Sequence, residues 1–185
     1  MRIVAGTARR INLVSPKGLN TRPTSDIAKE GLFNILSTVI QGSRFLDLFC
    51  GSGAIGLEAL SRGAKQAILV ESSRHAIEAT LQNIEKTRLA AQLMEMPVIT
   101  AINKLSANNQ IFDIIFLDPP YDTNILTEAL QILSTTNLLA KNGTIIAETD
   151  IMHKETISLP DVFQLIDSRN YGRTCFLFFN WKAEV

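Results

Sequence analysis

The sequence is poor in the residues on which several classes of protein depend. Two cysteines, Cys50 and Cys175, are too few for the disulfide framework of a small secreted protein. Two histidines, with no ligand-like spacing to the cysteines, predict no metal site. No apolar run reaches the roughly 18 residues that a membrane helix needs, and the stretch from Met1 to Gly6 lacks the apolar core of a signal peptide. These absences predict a protein of the reducing cytoplasm, with no membrane segment and no metal.

Size and charge limit the number of domains and the kind of binding partner. The 185 residues suit one domain, and 46% hydrophobic residues suffice for a buried core. The net charge is zero, yet residues 1–25 hold five basic and no acidic side chains, and residues 26–185 hold 13 basic and 18 acidic ones. The five are Arg2, Arg9, Arg10, Lys17 and Arg22. This asymmetry predicts a basic N-terminal extension (1–25) that contacts a polyanion, on a domain formed by 26–185; an ordinary solvated segment is the alternative.

Apolar strands alternate with helices from residue 44 onward. Strands are predicted at 45–49, 67–71, 92–98, 112–117 and 144–148, a closing hairpin at 162–167 and 174–181, and helices at 54–61, 73–88 and 124–134. Continuous apolar strands separated by helices are typical of an α/β fold with a parallel sheet covered on both faces. The closing hairpin adds an antiparallel strand. In the N-terminal extension, short extended runs at 1–5 and 11–14 predict a small hairpin.

Three acidic residues stand at the predicted carboxyl ends of strands. They are Asp47, Glu71 and Asp118. Because ligands of open α/β sheets bind beyond the carboxyl ends of the strands, these acids form a candidate site.

A glycine loop follows the first of these strands. Gly51-Ser52-Gly53-Ala54-Ile55-Gly56 precedes a helix, and Glu71 follows Gly51 by 20 residues, the spacing of a nucleotide-binding unit. A tight turn with a helix-packing glycine is the alternative. Asp47 would repel the pyrophosphate of a dinucleotide by a few kcal/mol at about 5–6 Å, whereas a carboxylate favours an ammonium and a sulfonium. The loop therefore favours S-adenosylmethionine over NAD.

A second motif, Asp118-Pro119-Pro120-Tyr121, follows a buried strand. Two prolines make the loop rigid and remove two N–H donors, so the carbonyls and the carboxylate are left to accept. Such a site suits an exocyclic amine, with Tyr121 stacked on the base, and direct transfer of a methyl group to nitrogen. A strand-terminating turn is the alternative.

Several segments together carry a family likeness. They are Arg2-Ile3-Val4-Ala5-Gly6, Arg22-Pro23-Thr24, Glu30-x-Leu32-Phe33-Asn34, the run 46–64, and Asp118-Pro119-Pro120-Tyr121. The last motif resembles that of amino-group methyltransferases, and the whole set resembles the RsmD family, which methylates a guanine N2 of bacterial 16S rRNA. The resemblance implies the class I S-adenosylmethionine-dependent methyltransferase fold, a Rossmann-like, seven-stranded, mostly parallel sheet with one antiparallel strand, here preceded by a small N-terminal β-hairpin extension.

The resemblance also implies a role for individual residues. Those expected to bind S-adenosylmethionine are Asp47, Phe49, Cys50, Gly51, Ser52, Gly53, Glu71 and Ser72. Those expected to face the target amine as catalytic residues are Asp118, Pro119, Pro120 and Tyr121. Those expected to meet phosphates of small-subunit rRNA, within an assembled or partly assembled 30S subunit, are Arg9, Arg10, Lys17 and Arg22.

The chain departs from the family pattern in two places. Arg9-Arg10-Ile11-Asn12-Leu13 stands where the family reads Arg-Gly-Arg-Lys-Leu, which removes basic residues. The third strand of the family ends in Asp or Asn, but the matching place near Thr100-Ala101 holds no acid, so main-chain groups are expected to read the adenine.

The same motifs are compatible with three other functions. A DNA adenine-N6 methyltransferase uses the same four-residue motif, although 185 residues leave no room for a DNA-reading domain. A protein amide methyltransferase would have little need of a basic extension. A non-catalytic ribosome-assembly factor could keep the fold, although the intact Asp47 and Asp118 argue against it.

Overall fold

The computed structural model describes residues 1–16, 26–120, 124–153 and 157–183. The helices are α1 (Asp26–Ile35), α2 (Ala54–Ser61), α3 (Arg74–Thr87), α4 (Val98–Ala107) and α5 (Ile125–Leu133). The strands are β1 (Arg44–Asp47), β2 (Gln66–Glu71), β3 (Gln92–Glu95), β4 (Phe112–Leu117), β5 (Leu139–Asp150), β6 (Phe163–Tyr171) and β7 (Thr174–Trp181). Among the described residues, no helix has both the length and the hydropathy of a membrane-spanning segment.

The strands form one sheet in the order β3-β2-β1-β4-β5-β7-β6. β1 to β5 run parallel, and Phe45 of β1 lies between Ala67 of β2 and Ile114 of β4. β7 is inserted between β5 and β6 and runs antiparallel to both. The predicted seven-stranded sheet with one antiparallel strand is thereby confirmed. The chain order reverses between β1 and β4, the place where ligands of such sheets bind.

Apolar clusters cover both faces of the central strands, whose successive side chains point to opposite sides of the sheet. Phe45 and Phe116 pack with α1 and α2, and we name this side the α1–α2 face. Leu46 and Ile115 pack with α4 and α5 on the opposite side. A side chain two residues further along a strand returns to the same face, which decides where the acids at the strand ends point.

The structure corrects the prediction between residues 92 and 107. β3 ends at Glu95 instead of residue 98, and α4 follows it, although the sequence pattern predicted no helix there. The buried residues of α4 are Val98, Ala101, Ile102 and Leu105. Their spacing is that of an amphipathic helix, but β-branched residues at its start obscure it. Thr100 and Ala101, the expected place of an adenine-reading acid, therefore lie within α4, and Met96 is the residue that follows β3.

The first 16 residues form a turn with little strand structure. Arg2 and Asn12 make one antiparallel bridge, so the predicted hairpin is present as a turn closed by a single bridge instead of two strands. The reason is that its main chain bonds to side chains of α2 and α3. The division of the chain at residue 25 stays a prediction, because residues 17–25 lie outside the described part.

Glu58 of α2 ties this segment to the domain. Its carboxylate accepts the main-chain N–H groups of Val4 and Ala5 at 2.7 and 2.9 Å. It also pairs with Lys29 of α1 at 3.3 Å and with Arg62 at 2.7 Å. Both Glu58 and Lys29 are fully buried, and burial lowers the pKa of Lys29 although Glu58 opposes that shift. Glu58 therefore neutralises the charge of Lys29 in the interior of the protein.

Asn83 of α3 makes a second tie. Its buried side-chain amide accepts the Val14 N–H at 2.7 Å and donates to the Val14 carbonyl at 2.9 Å. The same amide donates to the Ser52 carbonyl at 2.8 Å. One side chain thus joins the N-terminal segment to the glycine loop.

Candidate active site

Four carboxyl groups lie along the carboxyl edge of the sheet, on neighbouring strands. Glu71 ends β2, Asp47 ends β1, Asp118 directly follows β4, and Glu148 lies near the end of β5. In the order of the sheet these strands are consecutive. The three acids predicted from the sequence are therefore brought together at the point where the chain order reverses, and Glu148 joins them.

All four acids belong to the same face of the sheet, the α1–α2 face. Each stands two residues after a residue of the α1–α2 face; those residues are Phe45, Leu69, Phe116 and Ile146. Leu117 pairs with Ala147, so Asp118 and Glu148 lie at the same height on adjacent strands. Asp47 pairs with Phe116 and so lies two residues deeper than Asp118. Glu71, Asp118 and Glu148 thus form a row at one height, and Asp47 lies two residues below it.

Asp47 is the deepest of these acids. It is 1% exposed, and its Oδ2 accepts the main-chain N–H of Gly56 at 3.1 Å. Its Oδ1 is buried and makes no hydrogen bond of normal geometry with any described residue. Burial raises the pKa of Asp47 to about 7, and the charges of Glu71 and Glu148 act in the same direction. An acceptor held ready in this way suits a ligand that brings a positively charged donor.

The glycine loop leaves open space beside Gly51. Gly51 has a φ of +54°, and a side chain added there would meet open space. Gly53, with a φ of +77°, closes the turn by donating to the Cys50 carbonyl at 2.7 Å. Gly56, in α2, serves packing instead, because an added Cβ would lie 2.1 Å from the Leu69 side chain. The loop therefore separates a glycine that faces a ligand space from one that faces the core.

Glu71, at the end of β2, is hydrogen-bonded to the glycine loop. Its Oε2 accepts the Gly51 N–H at 2.9 Å, and its Oε1 accepts the N–H groups of Ser72 and Ser73, both at 2.8 Å. The carboxylate thereby joins the glycine loop to the start of α3. Since a carboxylate offers about four acceptor sites, one remains for a hydroxyl of a ligand.

The remaining residues expected at the cofactor differ in exposure. Phe49 is half-buried, and Cys50 and Ser52 are buried, while Ser72 is exposed. Cys50 Sγ lies 3.8 Å from the hydroxyl of Thr80, and burial raises the pKa of the thiol well above its usual range. Thr80 in turn donates to the Gly51 carbonyl at 2.7 Å. Cys50 is thus a small buried residue that supports the loop from behind.

Asp118 and its prolines end β4 at the edge of the site. Asp118 is partly exposed, Pro119 is buried and Pro120 is exposed. Burial of the Asp118 carboxyl raises its pKa well above the usual range, and the charges of Glu148 and Asp47 add to this. Tyr121, expected to stack on the target, lies outside the described residues.

Glu148 is the member of the row that sequence reasoning missed. It is 2% exposed and ends the apolar run that predicted this strand. The signal that singled out the other three acids, an acidic residue at the end of a buried strand, applies to it equally. Its place beside Asp118 depends on the order of strands, which the sequence pattern does not contain.

Of the basic residues expected to meet RNA, the two that the structure describes, Arg9 and Arg10, lie away from the row of acids. Arg9 and Arg10 are exposed in a turn that packs against Ser61, the last residue of α2. Thr7 donates its N–H to the Ser61 carbonyl at 2.8 Å. The glycine loop precedes the first residue of α2, and the eight residues of that helix span about 12 Å. Lys17 and Arg22 lie outside the described residues.

A metal would need a different arrangement of side chains. In the part of the chain that the structure describes, no three His, Cys, Asp or Glu residues converge as metal ligands would.

Known proteins of similar sequence and structure place the site in a family. The family described as Conserved hypothetical protein 95 matches residues 1–180 of the chain. Ribosomal RNA small subunit methyltransferase D of Haemophilus influenzae is 32% identical over 176 residues, which cover 93% of this chain and 89% of that protein. The protein of the same name from Escherichia coli is 35% identical over 151 residues, 82% of this chain and 75% of that protein.

The solved structure of yhhF from Escherichia coli superposes on the protein with a TM-score of 0.86 and 28% identity, covering 100% of this chain and 99% of that one. Sequence and fold agree over nearly the whole length, and the chain belongs to the RsmD family, that of the ribosomal RNA small subunit methyltransferases D.

Proposed function

We propose that the protein transfers a methyl group from S-adenosylmethionine to the exocyclic N2 amine of a guanine in small-subunit ribosomal RNA. The observation that carries this proposal is the position of Asp118 and its two prolines, one strand away from the buried Asp47 Oδ1, which makes no hydrogen bond of normal geometry with any described residue. Asp118 would accept a hydrogen bond from an amine, and Asp47, on the neighbouring strand, would accept one from a positively charged group. The names of the Haemophilus influenzae and Escherichia coli relatives support rRNA as the substrate.

S-adenosylmethionine is the methyl donor of this family, and it supplies an electrophilic methyl group on a positively charged sulfur. The residues present fit it. Asp47 Oδ1 is proposed to accept from the ammonium group, and the open space beside Gly51 is proposed to hold the ligand against the main chain. The acceptor site that remains on Glu71 is proposed to take a ribose hydroxyl. The lack of phosphate in this donor agrees with an acidic site.

The target amine is proposed to bind at the end of β4. Asp118 and the carbonyl of Pro119 would each accept one N–H, which leaves the nitrogen lone pair directed at the methyl group. Neither Pro119 nor Pro120 has an N–H, so no main-chain donor of those residues competes for the two acceptors. Tyr121 is proposed to stack on the base, which must leave its own stack to reach the pocket.

The substrate is proposed to be a partly or fully assembled small subunit. Arg9 and Arg10 are exposed at a turn one helix length from the glycine loop, so phosphates that they contact would lie about 12 Å away along α2. A small protein that grips RNA at a distance from the target base depends on the shape of the folded RNA for specificity.

The test is a methyl-transfer assay with radiolabelled S-adenosylmethionine. Small subunits that lack the guanine modification, naked small-subunit rRNA, DNA and a protein extract are offered in parallel. Label recovered as N2-methylguanine from subunit RNA supports the proposal, and the comparison with naked rRNA gives the assembly state that the protein needs. Asp118→Ala is the matched variant, and it should abolish transfer while cofactor affinity stays within about tenfold, since Asp118 is assigned to the amine.

Other outcomes point to other functions. Label in N6-methyladenine of DNA, or in a protein amide, would replace the proposed substrate with one of those two. Cofactor binding without label in any substrate would favour a factor that keeps the fold without catalysis.

A further inference from the structure

Two polar side chains of α3 are buried against the glycine loop. Thr80 and Asn83 are both 0% exposed, and a spacing of three residues places them on the same side of the helix. A buried polar group is costly unless it is hydrogen-bonded, so its partners indicate what it is for.

The partners of these side chains are two consecutive carbonyl groups of the loop. The Thr80 hydroxyl donates to the Gly51 carbonyl at 2.7 Å, and the Asn83 amide donates to the Ser52 carbonyl at 2.8 Å. Both carbonyl oxygens are thereby held toward α3. Since the C=O and N–H groups of a trans peptide point in opposite directions, the N–H groups of Ser52 and Gly53 point away from α3.

The orientation of these peptides matters for a ligand. The Gly53 N–H closes the turn on the Cys50 carbonyl, and the Ser52 N–H follows Gly51, which borders the open space. A reversed peptide would put a carbonyl oxygen in place of the Ser52 N–H, in a site where Asp47 and its neighbours already supply acceptors. Cofactor affinity should therefore depend on the side chains that hold the two carbonyls toward α3.

Asn83 also binds the N-terminal segment. Its Oδ1 accepts the Val14 N–H at 2.7 Å, and its amide nitrogen donates to the Val14 carbonyl at 2.9 Å. The amide has two N–H donors, so one serves Val14 and the other serves Ser52. If Val14 moved away, the buried amide would lose partners and would no longer be fixed in the orientation that holds the Ser52 carbonyl.

We propose that Asn83 is a positioning residue of the cofactor site: through the Ser52 carbonyl it holds the glycine loop in the orientation that binds S-adenosylmethionine, and it makes that orientation depend on the docked N-terminal segment. This inference rests on the assignment of the loop to the cofactor in the proposed function. Asn83 acts through Ser52 and does not contact the cofactor, since main-chain groups engage its amide on both sides. Cofactor binding and docking of the segment should consequently strengthen each other.

The first test measures S-adenosylmethionine affinity by calorimetry on folded variants. Asn83→Ala should weaken binding by at least about tenfold. Thr80→Val, which keeps the shape of the side chain and removes one bond to the loop, should weaken it by about tenfold, and Thr80→Ser should restore it. Thr87→Val is the matched control, because the Thr87 hydroxyl bonds only to carbonyls of its own helix, and affinity should stay within about twofold.

Kinetics separate positioning from a general loss of structure. In the methyl-transfer assay, Asn83→Ala and Thr80→Val should raise the KM for the cofactor and leave kcat within about twofold once the cofactor saturates. Unchanged cofactor affinity in these two variants overturns the inference. A lower kcat with an unchanged KM overturns it as well.

A second measurement needs no variant. Amide exchange of the native protein is followed by NMR with and without S-adenosylmethionine. Val14 and Lys182 lie outside the strands of the sheet, so both amides are expected to exchange through local opening. A ligand slows a local opening only if that opening disturbs its site.

Cofactor should slow exchange of the Val14 N–H by at least about tenfold, because its release would free Asn83. The Lys182 N–H, bonded to the Val162 carbonyl at 2.8 Å near the β6 edge of the sheet, is the reference and should keep its rate. An unchanged rate at Val14 overturns the role of Asn83. Failure of the native protein to methylate any RNA while it still binds the cofactor counts instead against the proposed function, so the two failures are distinguishable.

Discussion

At the scale of single residues, the buried carboxyl of Asp47, which is proposed to bind the ligand, lowers the stability of the folded protein at neutral pH. Burial raises its pKa in the folded protein to about 7, against about 3.9 in an unfolded chain. The folded protein therefore binds this proton more tightly than the unfolded chain does. The contribution of Asp47 to stability is most favourable below pH 4 and is lost as the pH rises toward 7.

Asp47→Asn should consequently stabilise the cofactor-free protein at pH 8. The gain in the free energy of unfolding should be about 1–4 kcal/mol, the upper figure being three pKa units at 1.36 kcal/mol each. Urea denaturation at pH 8 and pH 5.5 checks this, and the gain should shrink at the lower pH. Calorimetry should find cofactor binding weakened by at least about tenfold, since one charge-assisted hydrogen bond is lost.

Asp113→Asn is the control with the opposite sign. The guanidinium of Arg44, 2.8 Å away, lowers the pKa of Asp113, so this substitution should remove stability at pH 8 and leave cofactor binding intact. Loss of stability in both variants would contradict the account of Asp47.

At the scale of elements, the glycine loop and α2 divide their glycines between two tasks. A Cβ on Gly56 would lie 2.1 Å from the Leu69 side chain, whereas one on Gly51 would have nothing within 4 Å. Gly56 allows α2 to pack closely on β2. Gly51 borders the space assigned to the cofactor.

Gly56→Ala should therefore lower the free energy of unfolding by about 1–3 kcal/mol, the usual cost of overpacking. Gly51→Ala should cost about 1–2 kcal/mol through its left-handed backbone, and it should weaken cofactor binding because its methyl group enters the ligand space. Thermal unfolding and calorimetry on both variants separate the two effects. A larger loss of cofactor affinity in Gly56→Ala, compared in the folded state, would reverse the assignment.

Elements whose cause is local were predictable from the sequence. The strand before Gly51 and the motif at Asp118 carry their own signals, because apolar runs, glycines and prolines restrict the nearby main chain directly. α4 was missed because the β-branched residues at its start resemble a strand. The position of Glu148 beside Asp118 depends on strand order, and the N-terminal turn depends on Glu58, which lies more than 50 residues further along the chain.

At the scale of the whole molecule, Glu58 holds three parts of the chain together. It accepts from the N-terminal segment and from Arg62, and it compensates the buried Lys29 of α1. Glu58→Gln should lower the free energy of unfolding by about 3–5 kcal/mol, because it leaves Lys29 buried without its counter-charge. Urea denaturation measures the loss, and amide exchange at Val4 and Ala5 should become faster.

The double variant Glu58→Gln with Lys29→Met provides the control. It removes the uncompensated charge and should recover much of the lost stability. A double variant no more stable than Glu58→Gln alone would place the loss in the hydrogen bonds to the N-terminal segment.

The distribution of basic side chains over the whole molecule predicts where RNA binds. Arg9→Gln with Arg10→Gln should weaken binding to small-subunit RNA and reduce the slope of log affinity against log salt concentration by about 1.5, since the two proposed phosphate contacts would be lost. Cofactor affinity should not change, because α2 separates this turn from the glycine loop. Filter binding over a range of salt concentrations checks the slope. Lys104→Gln with Lys141→Gln, which removes two exposed charges elsewhere, should leave it unchanged.

The tie between the N-terminal segment and the glycine loop has a practical consequence. Ser52 donates its hydroxyl to the sulfur of Met1 at 3.6 Å, and Asn83 joins Val14 to the Ser52 carbonyl. An affinity tag fused before Met1 would therefore begin close to the glycine loop and should weaken cofactor binding, which calorimetry on tagged and untagged protein checks. A tag at the other terminus follows β7, which ends at Trp181 on the opposite edge of the sheet. Purification and surface immobilisation through that end should leave the pocket accessible.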